Sequence, residues 1–339
     1  MNKNLFLLIV STGVIAISLS AQNIKIKGFI NVDAVAVIDT SHRNYFALGQ
    51  YDLFITSQVT DKVSFLGETV FEYDHGFKIG IERAIISYRL KDFFIFSAGK
   101  LYTPLGYWNN AFHHGLVLQP TVTRPKLVDE NPSGGGLPLE DVGIQFNGDG
   151  ITKINLGYNL MIGNGIASNP VADFNKSKSV CLNIHAEPID NLKFYVSGYI
   201  DNVPAGTTTI QGISTTHHVG IQILNGSIAY WDGKLPFEFI GEYYNLKTVD
   251  STITASSNGF FLYFGFKFKK INLTPYFLYE ELAYNHKERL LLINSASSLA
   301  LGLRFAMRPL SVIKFEYKYA ETTQVGHQNS FELQWAIGF

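Results

Sequence analysis

Cysteine is nearly absent: Cys181 is the one thiol in 339 residues, which excludes a scaffold cross-linked by intramolecular disulfides. Charge is scarce as well. Only 16 % of the residues are charged, against about 25 % in ordinary globular chains. The 27 basic residues balance 28 acidic ones, and no basic stripe stands out, so nucleic acid is excluded as a partner. After residue 21 no window approaches the roughly 18 consecutive apolar residues that a membrane helix requires. A helical membrane protein is thereby excluded. Neither G-x-S-x-G nor H-E-x-x-H occurs, and no nucleophile, base and orienting group are seen together, so no enzyme is expected.

What fills the chain is alternation with a period of two. In NSFELQWAIGF, Phe331, Leu333, Trp335, Ile337 and Phe339 share one face, while Glu332, Gln334, Ala336 and Gly338 share the other. Just upstream, Ile313, Phe315, Tyr317 and Tyr319 oppose Lys314, Glu316 and Lys318. Sixteen such segments can be laid along the chain: 24–38, 46–59, 63–74, 77–90, 93–101, 139–147, 151–163, 177–187, 191–201, 214–231, 235–248, 257–269, 271–284, 295–308, 310–321 and 329–339. Merging a hairpin within 214–248 or 257–284 would give fourteen.

The links between segments carry more information than their number. After even segments they are short, as in TDK at 60, KD at 91, DGK at 232 and RPL at 308. After odd segments they are mostly longer and more polar, as in NGIASNPVADFNKS from 164 and DNVPAGTTTIQG from 201. A soluble sandwich has no reason to sort its loops by parity; an up-and-down barrel in an outer membrane does, with tight periplasmic turns and looser external loops. The expected fold is therefore all-β: a closed antiparallel transmembrane β-barrel of 16 strands, apolar toward lipid and polar toward a lumen. Closure is required because unpaired edge groups cannot stand in hydrocarbon.

Residues 1–21, MNKNLFLLIVSTGVIAISLSA, place a lysine before an apolar run from Leu5 to Leu19 and end in small residues. They read as a secretory signal peptide cleaved after Ser20 or Ala21, leaving residues 22–339 as the barrel. The expected location is the outer membrane of a Gram-negative-type bacterium.

The signal peptide, the even number of amphipathic strands and the ending WAIGF together resemble bacterial outer-membrane porins. That resemblance implies that Trp335 and Phe339 belong to a signal read by the barrel assembly machinery, that homotrimers are one assembly and monomers another, and that the long loop after the fifth strand folds inward. FSAGKLYTPLGYWNNAF, residues 96–112, distantly resembles the glycine, basic residue and Pro-x-Gly pattern of the phosphate-selective porin group. One departure counts against carrying over phosphate specificity. The lumen candidates mix Asp33, Glu68, Glu72, Glu82, Glu242, Glu280 and Glu316 with Arg83, Lys100, Lys314 and Lys318, which is no anion ladder. The phase of IERAIISYRL changes at 82–84, predicting a bulge, and FFIFSAGKL leaves the facing of Lys100 open.

The connection from 102 to 138 far exceeds ordinary loops. Its polar content supplies the constriction candidates: Trp108, Asn109, Asn110, His113, His114, Arg124, Lys126, Asp129 and Glu130. Opposed charges across a narrow water path select solutes by size and charge; the same charges also suit a surface ion-pair network. Adjacent histidines without a further ligand at metal spacing give no metal site, and no cofactor is implied. The functional expectation is a water-filled channel for passive diffusion of small hydrophilic solutes or ions. Apolar inward positions such as Tyr276 and Leu278 keep open an occluded barrel with a binding or structural role, and a barrel hydrolase is the third reading.

Overall fold

The computed structural model describes residues 23–38, 44–73, 76–113, 115, 117–129, 134–166, 177–207, 214–287, 295–308, 310–323 and 326–339. The signal peptide expected at 1–21 and the candidates His114 and Glu130 lie outside the described residues.

Sixteen antiparallel strands close into one barrel. They are β1 (Asn23–Val37), β2 (Tyr45–Gln58), β3 (Val63–Tyr73), β4 (Phe77–Lys91), β5 (Phe94–Tyr102), β6 (Glu140–Gly148), β7 (Gly157–Gly163) and β8 (Ser179–Ile189). The second half comprises β9 (Leu192–Val203), β10 (Val219–Tyr230), β11 (Phe237–Val249), β12 (Thr254–Phe266), β13 (Leu273–Ala283), β14 (Ala296–Arg308), β15 (Ser311–Thr322) and β16 (Gly326–Gly338). Each strand pairs with its sequence neighbours, and β1 pairs with β16 from Phe29 opposite Gly338 to Val37 opposite Ser330. At this seam Gly28 N–H donates to Phe339 O at 2.9 Å and Phe339 N–H to Gly28 O at 2.8 Å. The terminal aromatic strand thus satisfies the edge of the first.

The outward faces are apolar. Phe237, Phe264 and Phe277 stack in a row across three strands, and Phe315 stacks on Phe331 across two others. Such cross-strand pairs stabilise a sheet while presenting hydrocarbon to lipid. The inward faces divide by sector. Strands β1 to β4 turn in polar groups such as Asn31, Asp52 and Glu68, whereas β10 to β13 turn in Ile221, Ile223, Ile240, Phe261, Tyr263 and Leu278, all buried. Strand β12 ends FFLYFGF, a nearly continuous apolar run, because Phe261 and Tyr263 are buried in the apolar inward sector while Phe260, Leu262, Phe264 and Phe266 stay exposed on the outer face.

Several boundaries shift from the expected ones. Strand β7 begins at Gly157 rather than 151 because Gly150 and Asn155 adopt left-handed conformations. Ile151 N–H then bonds Leu156 O at 3.0 Å and turns the intervening chain back on itself. Strand β10 begins at Val219 rather than 214, since Thr215 is bonded back to Thr207 and Gly206 within the preceding connection. Strand β12 starts three positions earlier than 257 and β16 three earlier than 329, at Thr254 and Gly326. The bulge is where the sequence puts it: Glu68 pairs with Arg83 and Thr69 with Ile81, leaving Glu82 as the extra residue.

Candidate functional site

The described residues of the connection between β5 and β6, residues 103–139, enter the barrel and pack against the inner wall. The Pro-x-Gly turn of the sequence explains its entry. Gly106 has φ 77°, and a Cβ there would strike Tyr244 Oη and Glu242 Oε2, so glycine alone fits both the conformation and the space. A short helix, α1 (Tyr107–Phe112), follows. Its exposed backbone donors are met from the wall: Tyr107 N–H donates to Glu242 Oε2 at 3.1 Å and Trp108 N–H to Glu242 Oε1 at 2.5 Å. A carboxylate placed there satisfies the first-turn N–H groups that no helix can satisfy internally.

Two further carboxylates repeat the device. Val122 N–H and Thr123 N–H each donate at 3.0 Å to the two oxygens of Glu316, and Lys126 N–H donates to Glu280 Oε2 at 2.5 Å. On the wall side the same carboxylates accept from hydroxyls: Ser227 and Tyr244 at Glu242, Ser298 at Glu280, Tyr276 at Glu316, all at 2.7–2.8 Å. Glu242, Glu280 and Glu316 stand on β11, β13 and β15, every second strand, and each is at most 3 % exposed. They fasten the loop rather than line water.

Apolar packing completes the attachment. Trp108 is fully buried, with its ring 5.7 Å from Phe261 and 5.3 Å from Phe112, and Phe112 meets Trp231 at 5.0 Å. Leu105, Leu127, Val128, Leu137 and Leu139 are buried in the same cluster. Each such side chain contributes about 1.5–3 kcal/mol when removed from water, so the loop is held as a core element. Among the constriction candidates, Trp108 is therefore an anchor. Asn109 is a bracket, its Nδ2 donating at 2.8 Å to both Thr103 O and Leu139 O, the two ends of the loop. Asn110 is exposed and caps back to Gly106 O at 2.5 Å. His113 is buried, and Arg124 donates to its carbonyl.

Lys126 and Asp129 are half-buried, with Lys318 near enough to act on the Lys126 charge. Burial pushes the Lys126 amine below the ordinary lysine range, Glu280 opposes that shift, and Lys318 adds to it.

The lumen candidates on the wall separate into paired and partly open groups. Lys314 is fully buried, donating to Thr121 O at 3.1 Å and Gln334 Oε1 at 2.9 Å. Glu68 is buried and held by Arg83 Nε at 2.5 Å and Tyr102 Oη at 3.0 Å, while the Arg83 guanidinium lies 4.3 Å over the Tyr102 ring. Lys100 points to Glu140 at 2.7 Å, which answers the question of its facing. Asp33 accepts from Asn31 at 2.6 Å and, like Lys318 and Glu332, is half-buried; Glu72 is exposed opposite Lys78. Trp335 and Phe339 are exposed on the outer surface.

Solved structures share this architecture. The anion-selective porin of Comamonas acidovorans superposes with a TM-score of 0.68 at 11 % identity, over 94 % of this chain and 100 % of that one. The fold is that of bacterial outer-membrane porins. OmpT, an outer membrane protein of Vibrio cholerae in its trimer form, gives 0.66 at 13 % identity over 94 % and 100 % of the two chains. The outer membrane channel DcaP of Acinetobacter baumannii gives 0.59 at 11 % over 95 % and 99 %. No family profile matches the chain, and no curated protein sequence does. Identities this low establish a common barrel and no subfamily, so the phosphate-selective group is not singled out.

Sequence reasoning missed the fasteners. Glu242, Glu280 and Glu316 read as lumen charges because alternation gives a facing and not a partner. One available signal was the company that Glu242 and Glu280 keep: each lies beside an inward serine, Ser227 or Ser298, and its strand also turns in apolar residues, Ile240 and Leu246 on β11 and Leu278 and Leu282 on β13, whereas Glu316 shares its strand with Lys314 and Lys318.

Proposed function

We propose that the chain is a non-enzymatic diffusion channel of the outer membrane, passing small hydrophilic solutes or ions beside an inward-folded loop. The observation that carries this reading is the asymmetry of the interior. The loop is fastened to β11, β13 and β15 and packed on the apolar sector, while inward groups of both signs on β1, β4, β15 and β16 keep partial exposure: Asp33, Arg83, Lys318 and Glu332, with Lys126 and Asp129 on the loop itself. Half-exposed charges of both signs along a water path favour mild rather than strict ion selection.

The test is purified protein in a planar bilayer. Stepwise ohmic conductance with weak ion preference is expected, and Arg124→Gln with Lys126→Gln should move the reversal potential toward cations, since removing fixed positive charge lowers the attraction for anions. A second reading is an occluded barrel with a binding or structural role, favoured by the large apolar cluster inside the β10 to β13 sector. A folded, inserted protein that stays silent even with residues 107–135 shortened would favour it.

A further inference from the structure

One cluster of ligating side chains is left unused by the channel reading. Glu82 is the extra residue of the β4 bulge, His113 follows α1, and Glu140 opens β6. The loop brings them together, with one ligand atom from each lying within 4.8 Å of the others. His113 is 3 % exposed, while the Glu82 and Glu140 side chains keep 15 % and 22 % exposure.

The surrounding hydrogen bonds set the histidine for ligation. Asn109 spends its amide hydrogens on Thr103 O and Leu139 O, so its Oδ1 is an acceptor. His113 Nδ1 sits 2.5 Å from that oxygen and therefore carries the proton. Nε2 is then the nitrogen with a lone pair to offer. A ligating imidazole whose other nitrogen is held by an outer partner is the usual arrangement at metal centres.

We propose that Glu82, His113 and Glu140 bind a divalent metal ion of the zinc class, with a lumen water as the fourth ligand. One imidazole nitrogen and two carboxylates suit Zn²⁺ and disfavour Mg²⁺, which prefers an all-oxygen octahedral shell. Tetrahedral ligands with bonds of about 2.1 Å stand about 3.4 Å apart. Separations of up to 4.8 Å therefore close through changes of glutamate rotamer. Lys100 is the resident competitor: its Nζ lies 2.7 Å from Glu140 Oε2 and 3.9 Å from Glu82 Oε2, and it keeps a third partner, Ile81 O at 2.7 Å, when displaced. The bound ion ties the loop to β4 and β6, across the barrel from the row of glutamates on β11, β13 and β15.

Tag-free, chelator-stripped, full-length protein in detergent micelles is titrated calorimetrically with ZnCl₂ and with MgCl₂, and Co²⁺ is added to report coordination by its visible absorption. One saturable Zn²⁺ site per chain is expected, with no Mg²⁺ heat and a Co²⁺ spectrum of tetrahedral type. Glu140→Gln and His113→Gln should each weaken Zn²⁺ at least about tenfold, the loss typical of a damaged metal shell, and Lys100→Gln should tighten it by removing the competing ammonium. Glu140 stands at the edge of the cluster, so Glu140→Gln carries the test if His113→Gln does not fold. Absence of saturable binding, or Zn²⁺ binding that Glu140→Gln leaves unchanged, overturns the proposal. The measurement needs no conductance, so it stands or falls separately from the channel reading.

Discussion

Replacing Glu242 by glutamine should release the first half of the loop while leaving the barrel intact. The carboxylate accepts Tyr107 N–H at 3.1 Å and Trp108 N–H at 2.5 Å, with Ser227 and Tyr244 hydroxyls each at 2.8 Å. With Asn225 Nδ2 at 3.4 Å, five donors converge on a group that is 3 % exposed. A hydrogen bond to a charged acceptor contributes about 1.5–3 kcal/mol and a neutral one about 0.5–1.5. An amide also offers one acceptor oxygen where the carboxylate offers two, so one backbone N–H faces an NH₂ group. The two loop bonds together should weaken by about 2–4 kcal/mol. At about 1.4 kcal/mol per decade, the undocked population rises roughly thirty- to seven-hundred-fold. Limited proteolysis of the folded protein reads this directly, because cleavage tracks the open population when reclosing is fast. Cleavage within 107–120 should accelerate, while heat-modifiable migration of the barrel stays unchanged. Cleavage no faster than in the parent would refute the assignment of Glu242 as a fastener.

Two further outcomes follow from the same geometry. Trp108→Ala removes a fully buried ring from between Phe261 and Phe112 and should cost the loop about 3–5 kcal/mol of docking, seen as loop cleavage and noisier single-channel current with strand content by circular dichroism unaltered. Because burial lowers the Lys126 pKa, its positive charge should be present at low pH and lost on raising the pH sooner than for a solvated lysine; anion preference should fall in that step, and Lys126→Gln should abolish the step.

The barrel was legible because lipid imposes a rule on every strand. Outward positions must be apolar along the whole circumference, so Phe331, Leu333, Trp335 and Ile337 announce a facing without reference to any other part of the chain. Strand beginnings were less legible where a turn residue looks like a strand residue. Ile151 and Ile154 continue the apolar pattern of β7 yet belong to a turn, because Gly150 and Asn155 set the backbone there. Glu82 was readable as a bulge for the opposite reason, since a phase change within one strand is a local signal.

The interior follows a different rule, and this is why its residues were read by facing and not by role. An inward carboxylate is compatible with water, with a salt bridge or with a backbone N–H, and only the position of the loop decides among them. Glu68 meets Arg83 on the neighbouring strand, whereas Glu242 meets Tyr107 and Trp108 from a distant part of the chain. The composition of a whole sector carries the missing information. Where inward positions are Ile221, Ile223, Ile240, Phe261 and Leu278, the lumen there is dry, and a glutamate among them has to be paired with donors that enter with the loop. Glu242 and Glu280 lie in that dry sector on β11 and β13, whereas Glu316 on β15 shares its strand with the partly exposed Lys318, which with Asp33 and Glu332 lies toward the seam of β1, β15 and β16. The apolar inward face therefore marks where Glu242 and Glu280 hold the loop, and under the proposed channel function the solute path would run on the seam side.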